Sequence, residues 1–298
     1  MRIIRAEHLG LCFGVRDAIA LAFQEARKRP LTILGELVHN DHVLASLRKQ
    51  GIRIESQLSS ETDSNVMITA HGASNQSIRH LHDRGLNVLE ATCPLVRVVH
   101  RAAADLVRNG YHPVIIGKRD HVEVRGITGD LVEYDVVLCE ADVTELQERS
   151  RFGIVAQTTQ PIERVRHLVS LIRRRFPNAE VRFIDTVCQP TKQRQTAAIE
   201  LARQSDVVIV IGGRHSNNTK ELVATCGRYC AKVHHVQTAL DLEPEWFSSA
   251  ETVGITAGTS TPDDVIESVE EHLRVLTSSK REETSDLKEV LEPASIQN

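Results

Sequence analysis

Apolar residues in this chain gather in short runs, at positions 31–34, 66–68, 113–116, 153–156, 207–211 and 253–256, each closed by glycine or small polar residues. Between them lie longer stretches with apolar residues at helical spacing, such as Ile162, Val165, Leu168, Val169 and Ile172, and again Val265, Ile266, Val269, Leu273 and Leu276. Short buried strands alternating with helices of about 10–15 residues predict parallel sheets joined by right-handed crossovers. The fold class read from this pattern is α/β.

The same unit recurs three times. A strand, a cysteine at the turn and a helix occur around Cys12, Cys93 and Cys188, with Pro94 and Pro190 at the second and third helix starts. In each third a second strand ends in a polar turn, at His39, His121 and Ser216, which lie 27, 28 and 28 residues beyond the cysteine. A third strand ends in small, hydroxyl-bearing or histidine residues: Ala70-His71-Gly72, Gln157-Thr158-Thr159 and Gly258-Thr259-Ser260. Unrelated loops would not keep such spacing. The chain is expected to form three α/β units, 1–86, 87–178 and 179–277, related by pseudo-threefold symmetry around a shared centre. Turns at the carboxyl ends of parallel strands, opening onto helix N-termini, are where such sheets bind ligands. Residues 278–298, charged and without aromatics, are expected to be a mobile tail with one short helix at 287–291.

Composition narrows the partners. Lys plus Arg number 36 against 40 Asp plus Glu, a formal net charge of -4 over 298 residues, so no broad basic field suits nucleic acid or an acidic membrane. An anionic ligand has to be held by local donors. The N-terminus leads straight into a strand pattern and no run approaches membrane-spanning length. A cytoplasmic protein without membrane contact is expected. Six cysteines in a reducing compartment point to metal, cluster or catalytic use for some and plain burial for others.

Three thiolates, one from each unit and with no fourth at a matching position, would hold an iron-sulfur cubane by three irons and leave the fourth open. A zinc ion with the same thiolates and a water is the competing reading. His39, His71, His121, Ser216, Asn218 and Ser260 form a second set, hydrogen-bond donors at helix N-termini that suit a phosphate or diphosphate. Each charge-assisted hydrogen bond adds roughly 1.5–3 kcal/mol, and each helix dipole about 0.3–1 kcal/mol. Glu123, two residues after His121, is the one carboxylate placed in this ring as a proton donor, although its loop at 118–125 is highly charged. Cys226, Cys230 and His234 read as one helix face packed in the core, and Cys139 ends a strand.

The motifs Gly10-Leu-Cys12-Phe-Gly-Val15, Val38-His39-Asn40, Ala70-His71-Gly72, Ala91-Thr-Cys93-Pro-Leu-Val96, His121-Val-Glu123, Gln157-Thr158-Thr159, Asp185-Thr-Val-Cys188 with Arg194-Gln195, Ser216-Asn-Asn218 and Thr256-Ala-Gly-Thr-Ser260 span nearly the whole folded part. With them the chain resembles the 4-hydroxy-3-methylbut-2-enyl diphosphate reductases, the iron-sulfur oxidoreductases that end the non-mevalonate pathway of isoprene biosynthesis. The resemblance implies a trefoil of three α/β units around one [4Fe-4S] cluster, held by Cys12, Cys93 and Cys188, whose open iron binds the substrate's terminal hydroxyl. It also implies that His39, His71, His121, Ser216, Asn217, Asn218 and Ser260 bind the diphosphate. Thr158 would orient the hydroxyl, and Glu123 beside His121 would feed the proton that lets it leave as water. Reduced ferredoxin or flavodoxin would supply two electrons, and isopentenyl and dimethylallyl diphosphate would be the products. The alternative is a non-catalytic cluster-bearing sensor or diphosphate-binding protein derived from such an enzyme. Val122 stands where the family usually has proline and is expected to loosen the loop that aims Glu123. Asp17 adds negative charge beside the Cys12 turn.

Overall fold

The computed structural model describes the backbone of residues 1–289 and the side chains of residues 1–276. The chain opens with β1 (Arg2–Arg5) and α1 (Phe13–Ala26). A first sheet comes from β2 (Thr32–Leu34), β3 (Arg53–Glu55), β4 (Asn65–Ile68) and β5 (Asn87–Glu90), with α2 (Asp41–Lys49) after β2 and α3 (Asn75–Asp83) after β4. The next round runs α4 (Pro94–Arg108), β6 (His112–Ile116), α5 (Val122–Thr128), β7 (Asp135–Val137), α6 (Glu140–Glu145), β8 (Arg151–Ala156), α7 (Ile162–Arg175) and β9 (Glu180–Phe183). The last runs α8 (Gln189–Arg203), β10 (Val207–Ile211), α9 (Asn217–Cys226), β11 (Val233–Val236), β12 (Thr252–Ala257) and α10 (Asp263–Glu289).

These strands form three four-stranded sheets of one topology: β3-β2-β4-β5, β7-β6-β8-β9 and, read from the corresponding edge, β11-β10-β12-β1. Every neighbouring pair is parallel. Parallel strands carry helices on both faces and so read as unbroken apolar runs. All five residues of β10 are buried, and each such Val or Ile contributes roughly 1.5–3 kcal/mol by leaving water.

The sheets do not follow the unit boundaries expected from the sequence. β1 pairs with β12, Arg2 opposite Thr252, so the strand expected to open the first unit closes the third sheet. In the same way β5 closes the first sheet and β9 the second. Helix packing is the physical reason. Ala18 and Ala22 of α1 pack with Leu31, Ile33 and Met67, Val99 and Leu106 of α4 with Ile115 and Val155, and Ala198 and Leu201 of α8 with Val208 and Val210. Each of these helices therefore covers the sheet that follows it, while the strand before it edges the preceding sheet. The three cysteines stand at the three crossings between sheets, which is what turns them all to the centre.

α10 runs to Glu289, so the expected tail from residue 278 overlaps the end of this helix. The rest of that tail, 290–298, lies outside the described residues. Among the described residues no helix is long and apolar enough to cross a membrane.

Candidate active site

In each sheet the first and third strands of the unit lie side by side and their connections leave in opposite directions, so a crevice opens at their carboxyl ends. This topological switch point is where open α/β sheets bind ligands. His39 and His71 follow β2 and β4, His121 and Thr158 follow β6 and β8, and Ser216 and Ser260 follow β10 and β12. The six turns singled out in the sequence are thus the six switch-point turns of three equivalent crevices.

Contacts link these turns into a closed ring. The His39 and His71 imidazoles stack at 4.5 Å between centroids, and His121 meets them edge-on at 5.3 and 5.5 Å. The Ser260 hydroxyl donates to the His39 carbonyl at 3.3 Å. A Cβ on Gly213 would fall 2.3 Å from that same carbonyl, so the turn before Ser216 rests on the His39 backbone. Asn217 Nδ2 donates to the Thr159 hydroxyl at 3.4 Å, and Thr158 returns to Glu123, beside His121, as described below. Asn218 is buried, and its Nδ2 is a buried donor without a partner among the described residues. An orphaned buried donor is costly, and here it marks a place for an absent acceptor.

The ring nitrogens of His39, His71 and His121 lie within 4.8 Å of one another, close enough for a metal ion. Hydrogen bonding argues for an anion instead. His121 caps α5, and its Nδ1 accepts the Glu123 backbone N–H at 3.2 Å. The proton of the neutral ring is then on Nε2, a donor with no lone pair to give a metal. His39 Nδ1 donates to Glu36 at 2.8 Å, which orients that ring. Burial, with His39 next, holds His71 well below the ordinary histidine range and takes His121 down to about 3. Both are neutral donors at pH 7 in a crevice without anion.

Glu123 is 1% exposed. Its two oxygens accept from the Thr158 backbone N–H at 2.7 Å and the Thr158 hydroxyl at 3.0 Å. Burial pushes its carboxyl up to about 7 against the opposing pull of the two Thr158 hydrogen bonds. Glu123, placed in the ring as a proton donor on sequence grounds despite its charged loop, is buried beside Thr158 and is poised to give or take a proton near neutrality. Beside Val122, Thr158 holds this carboxylate from the neighbouring strand end.

Cys12, Cys93 and Cys188 immediately precede α1, α4 and α8 as their N-caps. Each donates its backbone N–H to the turn after a third strand: Cys12 to Thr259 O at 3.1 Å, Cys93 to Ala70 O at 3.0 Å and Cys188 to Thr158 O at 3.0 Å. One clamp is thus repeated three times. All six cysteines are free thiols. Burial pushes Cys188 up to about 11 and raises Cys93, while the first-turn amides of Leu95, Val96 and Thr191 favour the thiolates. Charges on Cys12 and Glu123 reach both sulfurs, so the three thiols and the carboxylate share one site. A Cβ on Gly14 would sit 2.5 Å from Cys93 Sγ, so the chain leaves a sulfur-sized space there that only glycine allows. Three soft donors, one per unit, with no fourth at a matching position, fit an iron-sulfur cluster that keeps one iron free of protein ligands.

The remaining cysteines lie elsewhere. Cys226 and Cys230 pack in the core, but not on one helix face: α9 ends at Cys226, and His234 lies in β11 stacked on Trp246 at 3.9 Å. Cys139 is exposed and precedes α6. Sequence reasoning assigned no role to Arg194, a buried cation whose guanidinium reaches Gly10 O beside the Cys12 turn. Its signal was present, since Thr191, Arg194, Ala198 and Leu201 share the inward stripe of α8.

Residues 3–274 match the family described as LytB protein. A Geobacter metallireducens protein named 4-hydroxy-3-methylbut-2-enyl diphosphate reductase is 36% identical over 282 residues, covering 94% of this chain and 99% of that relative. One of the same name from Aquifex aeolicus is 38% identical over 279 residues, covering 91% and 96%. Among solved structures, (E)-4-hydroxy-3-methyl-but-2-enyl diphosphate reductase, described as the terminal enzyme of the non-mevalonate pathway, superposes with a TM-score of 0.67 at 37% identity over 92% of this chain and 99% of that one. The Plasmodium falciparum E-1-hydroxy-2-methyl-but-2-enyl-4-diphosphate reductase superposes with a TM-score of 0.84 at 28% identity over 89% and 86%.

Proposed function

The chain belongs to the LytB protein family, and on that premise we propose that it is a 4-hydroxy-3-methylbut-2-enyl diphosphate reductase. It removes the terminal hydroxyl of that substrate to give isopentenyl and dimethylallyl diphosphate. The observation that carries this reading is Glu123: a buried carboxyl near neutrality, fixed by Thr158 where the imidazole ring meets the three thiols.

The diphosphate lies in the ring of His39, His71, His121, Ser216, Asn217, Asn218 and Ser260. Its oxygens supply the acceptor that Asn218 Nδ2 lacks and turn the stacked imidazoles into charge-assisted donors. Held there, the substrate directs its other end towards Glu123 and the thiols. Cys12, Cys93 and Cys188 hold a [4Fe-4S] cluster, which when bound supplies single electrons and a Lewis-acidic position for oxygen. Thr158 orients the hydroxyl, and Glu123 gives it a proton as the C–O bond breaks and water leaves. Two external electrons and a second proton complete the new C–H bond, so one alcohol, two electrons and two protons become one alkene diphosphate and one water. Reduced ferredoxin or flavodoxin is the donor, in the cytoplasm.

The test is anaerobic. The chain is reconstituted with iron and sulfide, and consumption of the hydroxymethylbutenyl diphosphate is followed with a reduced viologen. Turnover that disappears in Glu123→Gln while the substrate still binds supports the reading. A cluster-loaded parent that binds the diphosphate without turnover replaces it with a sensor or binding role.

A further inference from the structure

Among the described residues, one buried cation, Arg194, has no role in the proposed chemistry. Arg194 is 7% exposed on the inward stripe of α8, the helix that Cys188 opens. Its Nη2 and Nε donate to the Gly10 carbonyl at 2.7 and 3.2 Å, and its Nη1 donates to Pro190 O at 3.0 Å. Gly10 begins the turn that carries Cys12, so one side chain binds the Cys188 helix to the Cys12 loop across the crossing between two units. Those acceptors are neutral carbonyls. A buried guanidinium is expensive unless an anion faces it, and the acidic groups whose charge reaches it are the Cys12 and Cys188 thiols.

Thiols that ligate a metal are thiolates, so a loaded site would supply the missing anions. Adding one electron to a bound cluster makes it one charge more negative. A fixed positive charge in a poorly screened interior lowers the reduced state more than the oxidised one. Resting on the cluster reading above, we propose that Arg194 is the positioning residue of the thiolate set: it locks the Cys12 turn to Cys188 and, through its charge, raises the reduction potential of the cluster. A purely mechanical clamp would hold the turn and leave the potential alone.

The experiment uses the full chain, reconstituted anaerobically, as parent, Arg194→Gln and Arg194→Lys. Folding is checked by circular dichroism, iron and sulfide are counted, and the potential is read by mediator titration followed by electron paramagnetic resonance. Arg194→Gln is expected to titrate at a more negative potential than the parent, and Arg194→Lys to return most of that shift. A folded, fully loaded Arg194→Gln with the parent's potential overturns the proposal. Where Arg194→Gln folds but does not keep the cluster, Arg194→Lys decides. A retained cluster near the parent's potential supports the charge role, and loss in both variants overturns it in favour of a clamp. A parent that holds no iron-sulfur cluster overturns the cluster reading itself and this inference with it, a result distinct from any change confined to the variants.

Discussion

Glu123 gives a pH-dependent stability that can be worked out before any turnover is measured. Its carboxyl stands at about 7 in the folded chain, against an ordinary 4.5, because burial disfavours the charge. The folded state therefore holds this proton more tightly than the unfolded state. The contribution of the protonated form is complete below the unfolded value and is lost as pH rises through about 7. At about 1.4 kcal/mol for each factor of ten in proton affinity, the resulting penalty is about 1 kcal/mol at pH 5.5 and about 3 kcal/mol at pH 8.5. Glu123→Gln does not titrate. Its Oε1 can accept the Thr158 N–H while its Nε2 donates to the Thr158 hydroxyl, which turns to accept, and any residual cost does not depend on pH and cancels when two pH values are compared. Urea unfolding of the cluster-free full chain at pH 5.5 and 8.5 should show the stability of Glu123→Gln relative to parent improving by about 2 kcal/mol between them. A difference constant to within about 0.5 kcal/mol would refute the claim that burial sets this proton. In the loaded enzyme the parent's turnover should decline as pH rises through 7, the limb expected of a carboxylic acid donor.

Other consequences of the geometry are equally open to measurement. Gly14→Ala places a carbon 2.5 Å from Cys93 Sγ, so the folded variant should bind little iron on reconstitution; full iron content would show that the helix start can give way. Asn218→Ala removes a buried donor without a partner among the described residues and, on the proposed reading, should raise the dissociation constant for the diphosphate, measured calorimetrically, by about 10- to 150-fold, the equivalent of roughly 1.5–3 kcal/mol. Ile209→Ala opens a hole in a strand with no exposed residue and should cost about 2–5 kcal/mol in denaturant unfolding; a loss under about 1 kcal/mol would mean the sheet is less tightly covered than its burial indicates.

The repeat was legible because parallel strands buried on both faces leave unbroken apolar runs, and because each unit must return a cysteine, a second strand and a third strand to the same centre. That need keeps His39, His121 and Ser216 at nearly constant distance from their cysteines. Strand partners were not legible. β1 and β12 are paired across almost the whole chain, and nothing local to the β1 sequence, Arg2-Ile-Ile-Arg5, distinguishes the edge of one sheet from the start of another. Glu123 was placed in the ring from sequence, but what holds it there was hidden for a similar reason. Its sequence neighbours are charged, and what encloses it is Thr158, brought in by a different strand. Arg194 lay open to view on an apolar stripe, but its meaning came from Gly10, which the fold brings to it from the other end of the chain.

The most direct test of the claim that three thiolates hold a cluster facing the Glu123 ring is Mössbauer spectroscopy of the full chain, reconstituted with iron-57 and sulfide, before and after addition of the hydroxymethylbutenyl diphosphate. Three irons alike and one distinct are predicted, with only the distinct one responding to substrate, and replacement of Cys12, Cys93 or Cys188 by alanine should abolish the signal whereas Cys139→Ala should not. Four equivalent irons indifferent to substrate, or a protein that takes up zinc and no iron-sulfur cluster, would contradict it.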